Sequence, residues 1–389
     1  MVRVAFVTSH PIQYQVPVFR CLAGHSGIEF VVLFAMIPDS KTQGQGFGVA
    51  FEWDIPLLQG YEYRVLENVS GNPGVTTFGG CDTPGITRVL TEQRIDVVIV
   101  NGWVVKTCLQ TLKACRQLRI PCIVRGEANN LRPRALWKRL IQRMLVRRYD
   151  AFLPIGTANR SFYRSHGVPD SRMFDSPYCI ENSRFSAAAE AARPRRAEIR
   201  GRWGIPEDRT CFLFCGKFES KKHPLELLHS FSAKCVREAG CWLLMVGDGE
   251  LRSACEAFAA EHSLPVTFAG FQNQSAIVDA YVASDILVLP SDHGETWGLV
   301  VNEAMACGLP SIVSDQVGCA HDLIQHGTTG WIFPFGDWSR LSELLAEAAN
   351  DTSSRDVRRD ACSEKIRYYS PENAATGMLR AVEYVTNAN

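Results

Sequence analysis

A chain of 389 residues is longer than one hydrophobic core usually serves, and it reads as two domains of roughly 150 to 200 residues each. With 46% hydrophobic and 21% charged residues the composition excludes a chain that is mostly disordered, and 41 Lys plus Arg against 41 Asp plus Glu removes net charge as an argument for a nucleic-acid partner, leaving only local basic patches. The 14 cysteines lie singly from Cys21 to Cys362, with no Cys-x-x-Cys pair and no Cys/His cluster at zinc-ligand spacing, the pattern of reduced, mostly buried thiols in a cytosolic protein. The run from Met1 to His10 is too short in apolar residues for a signal segment or a membrane span, so a soluble, non-secreted protein is expected.

Val2 to Thr8 is a β-branched run that stops at Ser9-His10-Pro11-Ile12-Gln13-Tyr14, and a helical pattern follows from Val16 to Ala23, the first unit of a doubly wound fold. Phe30 to Phe34 gives a second strand. From Pro38 to Gly60 the chain is irregular, rich in Gly, Gln and Asp, with Phe47, Phe51 and Trp53 interleaved. Loops of this length are usually functional or disordered, and the aromatics argue for a packed loop over a cleft. Asp96 to Val100 is a third strand, ending in Asn101-Gly102-Trp103, and Cys122 to Arg125 is a fourth, ending in Gly126-Glu127. Strands separated by helical stretches pair in parallel through crossovers.

Residues 132–148 form a basic amphipathic helix, with Leu136, Trp137, Leu140, Ile141, Met144 and Leu145 at helical spacing against Lys138, Arg139, Arg143 and Arg147. It is either an N-domain helix with a solvated basic face or a helix docked on anionic lipid headgroups. Ala151 to Ile155 is a fifth strand, a helix runs to about His166, and a sixth short segment ends at Pro177-Tyr178-Cys179-Ile180-Glu181-Asn182. The Ala-, Arg- and Pro-rich stretch from Ala187 to Arg202 lacks a β pattern and places the interdomain connection there.

A second strand series opens with Thr210 to Cys215, ends in Gly216-Lys217 and leads past Lys222 into a helix from Pro224 to Ala233. Cys241 to Val246 follows and ends in Gly247-Asp248-Gly249. Val266 to Phe268, Ile286 to Leu289 and Ser311 to Ser314 continue the series. Each strand stops at a Gly or polar turn before a helical run, so the loops open at the carboxyl edge of a parallel sheet, where open α/β folds bind ligands. The chain is helical again from Trp338 to Ala349, and Tyr368 to Asn389 is a further amphipathic helix.

The loop after Leu289 concentrates the chemistry. Glu295 and Glu303 stand eight positions apart, one in the loop and one about a turn into a helix that starts near Gly298. The backbone N–H groups of Gly298, Leu299 and Val300 are orphan donors of that helix and a ready anion site. Amides for phosphate, flanked by carboxylates that accept hydrogen bonds from hydroxyls, suit a sugar nucleotide. The Glu-x7-Glu spacing alone is met more readily by a surface loop residue and a solvated helix residue.

Gly216-Lys217 with Lys222, then Gly247-Asp248-Gly249, then Glu295 to Glu303, in that order and at those intervals, resemble the Gly-Arg turn with a later Lys, the Gly-Asp-Gly turn and the Glu-x7-Glu loop-helix of the retaining GT-B glycosyltransferases, specifically glycosyltransferase family 4. The resemblance covers nearly the whole chain. It implies an α/β, GT-B architecture of two Rossmann-like parallel-sheet domains facing across a cleft. Residues 1–185 would form an acceptor-binding domain, 186–202 the connection, 203–367 a nucleotide-sugar-binding domain, and 368–389 a helix packing back on the N-terminal domain.

The resemblance also implies roles. Lys217 and Lys222 clamp the donor diphosphate and stabilise the charge on the departing nucleotide; a Lys at the first position, where the family usually has Arg, offers a point charge in place of a bidentate fork. Glu303 accepts from the ribose hydroxyls. Glu295 contacts the hydroxyls of the donor sugar, nearest the reacting centre, without acting as a nucleophile. Gly216, Gly247, Trp297 and the amides of Gly298, Leu299 and Val300 line the donor site, and the base is held near Phe271 and Gln272. Retention follows in the family from a same-face mechanism in which the leaving phosphate assists deprotonation of the acceptor, so the protein supplies positioning and charge stabilisation. A glycosidase pair of carboxylates, the rival chemistry, predicts no phosphate-binding lysines.

On the acceptor side the candidates are His10, Gln13, Tyr14, Trp103, Arg125, Glu127 and Asn182. Ser9 to Tyr14 resembles a loop facing the cleft in bacterial polysaccharide-building members; His10 contacts a substrate there or simply caps the first turn. Where many members carry a cleft histidine after the fourth N-domain strand, this chain has Arg125-Gly126-Glu127, and Arg125 or Glu127 takes that place. Asn182 lines the hinge side. There is no Asp-x-Asp, so no metal is expected, the lysines replacing a cation's charge, and His293 reads as a loop residue without partner ligands.

The function implied is a cytoplasmic hexosyltransferase, with no cofactor beyond its nucleotide-sugar co-substrate. It moves a hexose-type sugar with retention from a nucleoside diphosphate donor, UDP ahead of GDP, to a glycan, lipid-linked or small-molecule acceptor. The basic helix at 132–148 leaves peripheral contact with the inner face of an anionic membrane open beside the solvated reading, and no nucleic acid takes part. A GT-B sugar-nucleotide epimerase or hydrolase, turning over the donor without an acceptor, and a non-catalytic two-lobed sugar-binding protein are the alternatives.

Overall fold

Strands that are apolar without alternation must be covered on both faces, which is how parallel sheets are built. The computed structural model describes residues 1–44 and 50–387 and contains two such sheets. Strands β1 (Val2–Thr8), β2 (Ile28–Phe34), β3 (Glu62–Val65), β4 (Val97–Asn101), β5 (Cys122–Arg125) and β6 (Ala151–Leu153) form one, in the order β3-β2-β1-β4-β5-β6. Strands β7 (Cys211–Cys215), β8 (Trp242–Val246), β9 (Val266–Gly270), β10 (Ile286–Leu289), β11 (Ser311–Ser314) and β12 (Gly330–Phe333) form the other, in the order β12-β11-β10-β7-β8-β9. Every pairing is parallel. Counted from its own first strand, each sheet has the doubly wound order 3-2-1-4-5-6, with a crevice outside the carboxyl ends where the winding reverses. That switch point falls between β1 and β4 in one sheet and between β7 and β10 in the other.

The chain divides into two compact units. Unit 1 holds Met1–Thr42, Pro56–Ile180 and Ser370–Asn389; unit 2 holds Gln43–Ile55 and Glu181–Tyr369. In unit 1 one face of the sheet is covered by the helices Val16–Ala23 and Pro371–Asn387, whose Phe19, Leu22, Ala374, Met378 and Val382 meet Val4, Phe6 and Val32. The other face carries Leu90, Cys108, Leu112 and Phe162 from the helices Ile86–Glu92, Lys106–Leu118 and Thr157–Ser165. In unit 2, Phe212, Phe214, Met245 and Val288 of the sheet meet Leu227 and Phe231 of Pro224–Phe231 and Leu341 and Leu345 of Trp338–Asn350. All 14 cysteines are free and most are buried.

Four local features differ from the sequence reading. β3, Glu62-Tyr63-Arg64-Val65, is exposed along its whole length, and as an edge strand pairing only with β2 it needs no apolar run. β12, of the same four-residue length as β10 and β11, forms an edge of the other sheet and is not among the strands read from the sequence. The sixth segment expected to end at Pro177 is no strand; only a bridge between Phe152 and Met173 marks it.

The stretch expected as a connection, 186–202, is largely helical, in Asn182–Ala192 and Arg196–Arg202, and belongs to unit 2. Its alanines and arginines are strong helix formers, and its basic side chains are anchored. Asp285, with its side chain 7% exposed, pairs with Arg196 at 2.9 Å, Arg200 at 3.6 Å and Arg355 at 3.2 Å. Among the described residues no helix is long and apolar enough to cross a membrane.

Candidate functional site

In unit 2 the turns that leave β7 and β8 touch. Gly247 has φ +130°, and a Cβ on it would lie 1.9 Å from the Gly216 carbonyl oxygen, so glycine alone allows the approach. The Lys222 side chain runs over the Gly216 turn, its Cε 3.5 Å from where a Gly216 Cβ would stand. Its ammonium ends in an ion pair with Glu295, the two side chains being 12% and 15% exposed. Lys221 pairs with Glu219 at 3.2 Å. Burial pulls the Lys221 ammonium down, but the Glu295 and Glu219 carboxylates outweigh it and leave it raised. Lys217 goes the other way, lowered by burial, with Lys221 and Lys222 adding to the effect against Glu219.

The loop after β10 is pinned by backbone bonds, the Gly318 N–H to the Glu295 carbonyl at 3.1 Å and the Cys319 N–H to the Trp297 carbonyl at 2.9 Å. Gly298 then turns the chain at φ +98°, and side-chain atoms of Leu289 and Val317 lie 3.0 Å from where its Cβ would be. The helix Leu299–Ala306 follows, with the Val301 N–H bonded to the Gly298 carbonyl at 2.9 Å. The amides of Gly298, Leu299 and Val300 therefore precede the helical ladder, on the loop that carries Glu295.

Glu303 lies on that helix and accepts a 2.6 Å hydrogen bond from the Tyr281 hydroxyl. Burial raises its carboxyl above the usual range, against the opposing pull of Tyr281, Gln274, Arg184 and Lys222. Arg184 in turn grips Gln274 through its side-chain oxygen at 2.5 Å and its carbonyl at 3.0 Å. Tyr281 also reaches Cys215 Sγ, at the end of β7, at 3.9 Å. Gly216, Lys222, Glu295 and Glu303 thus share one place at the switch point of the sheet. Tyr281, Gln274 and Arg184, which hold Glu303, were not anticipated. They belong to no motif, and Arg184 stands at the edge of the stretch taken for a connection.

The remaining unit 2 candidates make bonds of their own. Trp297 is 3% exposed, donates its indole N–H to Asn302 at 2.8 Å and packs on Tyr369. The Gln272 amide is bonded to the Ala269 carbonyl at 3.0 Å. Phe271 stacks 4.4 Å from Phe51, in the long insertion. That insertion is fastened nearby, by the Ser275 N–H to Asp54 at 3.1 Å and by the Asn273 amide to the Glu52 carbonyl at 2.7 Å. Phe47, expected in the same packed loop, lies outside the described residues. Asn182 donates to the carbonyls of Ile366 at 3.0 Å and Tyr369 at 3.1 Å. His293 is half-buried in the loop, and among the described residues no three His, Cys, Asp or Glu side chains are grouped to hold a metal ion.

In unit 1 the loops after β1 and β5 carry a second cluster. The Tyr178 hydroxyl donates to Glu127 and lies 3.4 Å from the Tyr14 hydroxyl, the two rings packing edge-on at 5.3 Å. Arg125, 2% exposed, lies 4.7 Å from the Tyr178 ring centroid and donates to Ser176 Oγ at 3.3 Å. Burial pushes both tyrosine hydroxyls up, and the Glu127 carboxylate adds to it. Tyr178, the residue that joins Tyr14, Arg125 and Glu127, was not anticipated. His10 faces Ser9 Oγ at 2.8 Å through Nδ1, and burial lowers it to about 4, so the ring is neutral near pH 7. Gln13 lies half-buried in the same turn, while Trp103 packs against Tyr149 and Phe162 in the core.

Two parallel sheets of one doubly wound order, each with a polar cluster at its carboxyl edge, are the architecture of the GT-B glycosyltransferase fold. A structure of the Anabaena protein Alr3699/HepE in complex with UDP and glucose superposes with a TM-score of 0.71 over 98% of this chain and 100% of that one, at 14% identity, a likeness of fold. Residues 195–367 match the family "Glycosyl transferases group 1". An N-acetyl-alpha-D-glucosaminyl L-malate synthase from Bacillus anthracis is 31% identical over 158 residues, 40% of this chain and 40% of its own length. A GDP-mannose-dependent alpha-(1-6)-phosphatidylinositol dimannoside mannosyltransferase from Mycobacterium tuberculosis is 32% identical over 190 residues, 48% of this chain and 47% of its own. These matches span less than half the length of either relative.

Proposed function

We propose that the chain is a glycosyltransferase that moves a hexose-type sugar, with retention, from a nucleoside diphosphate sugar to a glycan, lipid-linked or small-molecule acceptor. The observation that carries this reading is the grouping of Lys222, Glu295 and Glu303 around the first amides of the Leu299–Ala306 helix. Diphosphate oxygens fit the ammonium groups of Lys217 and Lys222 and those amides. Glu303, steadied by Tyr281, accepts from the ribose hydroxyls, and Glu295 from those of the sugar. In transfer the bond from the anomeric carbon to the diphosphate breaks, the acceptor oxygen bonds to that carbon on the same face, and its proton leaves with the diphosphate. The lysines offset the charge that grows there, and no metal or further cofactor is assigned.

A UDP-sugar is the favoured donor, in line with the UDP and glucose of the Anabaena complex, and a GDP-sugar is the second choice, in line with the mycobacterial relative. Unit 1, with Tyr14, Glu127 and His10, is assigned to the acceptor. The protein is placed in the cytoplasm, with residues 132–148 in peripheral contact with an anionic membrane. A thermal-shift screen of nucleotide sugars tests the donor, because a ligand bound to the native state raises Tm by mass action. Stabilisation by one nucleotide sugar, then acceptor-dependent release of its diphosphate and a product with the donor's anomeric configuration, is the expected result. Donor turnover that ignores every acceptor would mean a hydrolase or epimerase, and no nucleotide-sugar binding would refute the reading.

A further inference from the structure

The helix Leu136–Val146 in unit 1 buries only Val146. Its apolar residues face outward: Leu136 is 79% exposed, Trp137 61%, Leu140 60%, Ile141 56% and Met144 59%. Single exposed apolar residues are ordinary, whereas five on one short helix form a patch that water covers only at a cost. Along the sequence on either side of it the charge has one sign. From Ala128 to Tyr149 the sequence holds seven Lys and Arg and no Asp or Glu. A helix that presents large apolar side chains, an exposed Trp and a cationic fringe is suited to the boundary between headgroups and acyl chains of an anionic bilayer.

The helix leads into a cavity. Arg147, its C-terminal cap, lines a space of ≈ 550 Å³ together with Arg116, Arg119, Arg172 and Asp150. Pro121 and Asp150, in its wall, immediately precede β5 and β6, so the cavity opens at the amino-terminal edge of the sheet, opposite the Tyr14–Glu127 cluster. Part of this basic charge is structural. Arg172 donates to the Tyr149 carbonyl and, at 2.8 Å, to the Asp150 carbonyl, and Arg116 pairs with Asp150 at 3.4 Å. Asp150 is also occupied by the Cys122 N–H at 2.8 Å. The cavity therefore holds one carboxylate among four guanidinium groups, and among the described residues the side chains of Arg119 and Arg147 have no hydrogen-bond or ion-pair partner. Planar guanidinium forks match phosphate oxygens in pairs.

We propose that the outward face of Leu136–Val146 and the arginine cavity at its carboxyl end are one docking surface for anionic phospholipid, the face entering the acyl boundary and Arg119 and Arg147 holding a headgroup phosphate. This rests on the membrane contact put forward above and is independent of the donor assignment. It separates two contributions that a basic helix alone would merge: partition, set by the apolar face, and headgroup preference, set by the cavity.

Co-sedimentation of the full chain with vesicles of phosphatidylcholine, with and without phosphatidylglycerol, tests both. Wild type should bind the anionic vesicles and far less the neutral ones. Leu140→Glu with Ile141→Glu should weaken binding to both by about ten-fold or more, since charge is expelled from the acyl boundary. Arg119→Ala with Arg147→Ala should weaken binding to the anionic vesicles by about thirty-fold, from roughly 1 kcal/mol per surface cation, and leave the neutral vesicles unchanged.

Arg88→Ala with Lys234→Ala, removing two exposed cations elsewhere, is the charge-matched control and should change little. If the control falls as far as the arginine pair, or the arginine pair binds like wild type, the cavity is no headgroup site and the proposal fails. A Tm rise with inorganic pyrophosphate that the arginine pair abolishes, without any vesicle preference, would assign the cavity to a soluble phosphate and overturn the lipid. Failure of the donor screen alone would leave these vesicle results standing.

Discussion

Replacing Lys222 by Ala separates the structural from the chemical use of one ammonium group. The side chain is 12% exposed and its partner Glu295 15%, so the variant strands a mostly shielded carboxylate. Breaking a fully buried pair costs about 3–5 kcal/mol, and the residual solvent here puts the loss at or below the lower end of that range. If Lys222 also meets the charge on the departing diphosphate, kcat should fall by about 10²–10³, the loss typical of one preorganised donor. The double variant Lys222→Ala with Glu295→Ala removes the stranded carboxylate and should recover most of the stability. It should not recover turnover. Urea unfolding gives the first quantity, and release of nucleoside diphosphate from the donor selected by thermal shift gives the second. A Lys222→Ala enzyme within about three-fold of wild-type kcat, or a double variant that regains it, would show that Lys222 only neutralises Glu295.

Glu303 has its carboxyl raised in the folded chain, so the folded state takes up a proton at a pH where the unfolded chain, near about 4.3, does not. The penalty for burying its charge is thus present above the raised value and relieved as pH falls through it. Donor affinity should move the opposite way, weakening on acidification through that same window. Glu303→Gln should gain stability at neutral pH, raise the donor KM and lose this acid limb; an unchanged KM and profile would remove Glu303 from the ribose. His10 is lowered to about 4 from an unfolded value of about 6.5, so its contribution to stability is complete above about 6.5 and lost between there and about 4. His10→Asn should flatten the fall of Tm over that interval, and an imidazole seen by NMR to titrate near 6.5 would refute it. Asp285→Ala leaves three arginines without their shared carboxylate and should cost about 3–5 kcal/mol in urea unfolding; a loss under about 1 kcal/mol would mean that they find other partners.

What the sequence disclosed depended on how local the cause was. Val97 to Val100 and Ile286 to Leu289 announce buried strands because nothing polar interrupts them, and the turns after β7, β8 and β10 show in Gly216, Gly247 and Gly298. β3 stayed hidden because an edge strand in water needs hydrogen bonds and not apolar side chains. Tyr281 and Arg184 stayed hidden because they act on Glu303 from other helices, Tyr281 by a hydrogen bond and Arg184 by its charge, and no spacing along the chain encodes that meeting. Trp297, beside two glutamates, invites a role at the sugar, yet Asn302, five residues on, holds its indole N–H. Periodicity disclosed the apolar stripe of Leu136–Val146 but not whether anything covers it.

The way the units are cut from the chain bears on the order in which they are finished during synthesis. Unit 2 is complete once Tyr369 has been made, whereas unit 1, although it contains the first residues, lacks Ser370–Asn389 until the end. The missing piece is not peripheral. Ala374, Met378 and Val382 close one face of the first sheet over Val4 and Phe6, and Ser176 donates to the Ala374 carbonyl at 3.0 Å. A nascent chain therefore carries an open apolar sheet face while the second unit is already able to close, a state exposed to misassembly. Removing the final helix should impair the unit made first and spare the one made second.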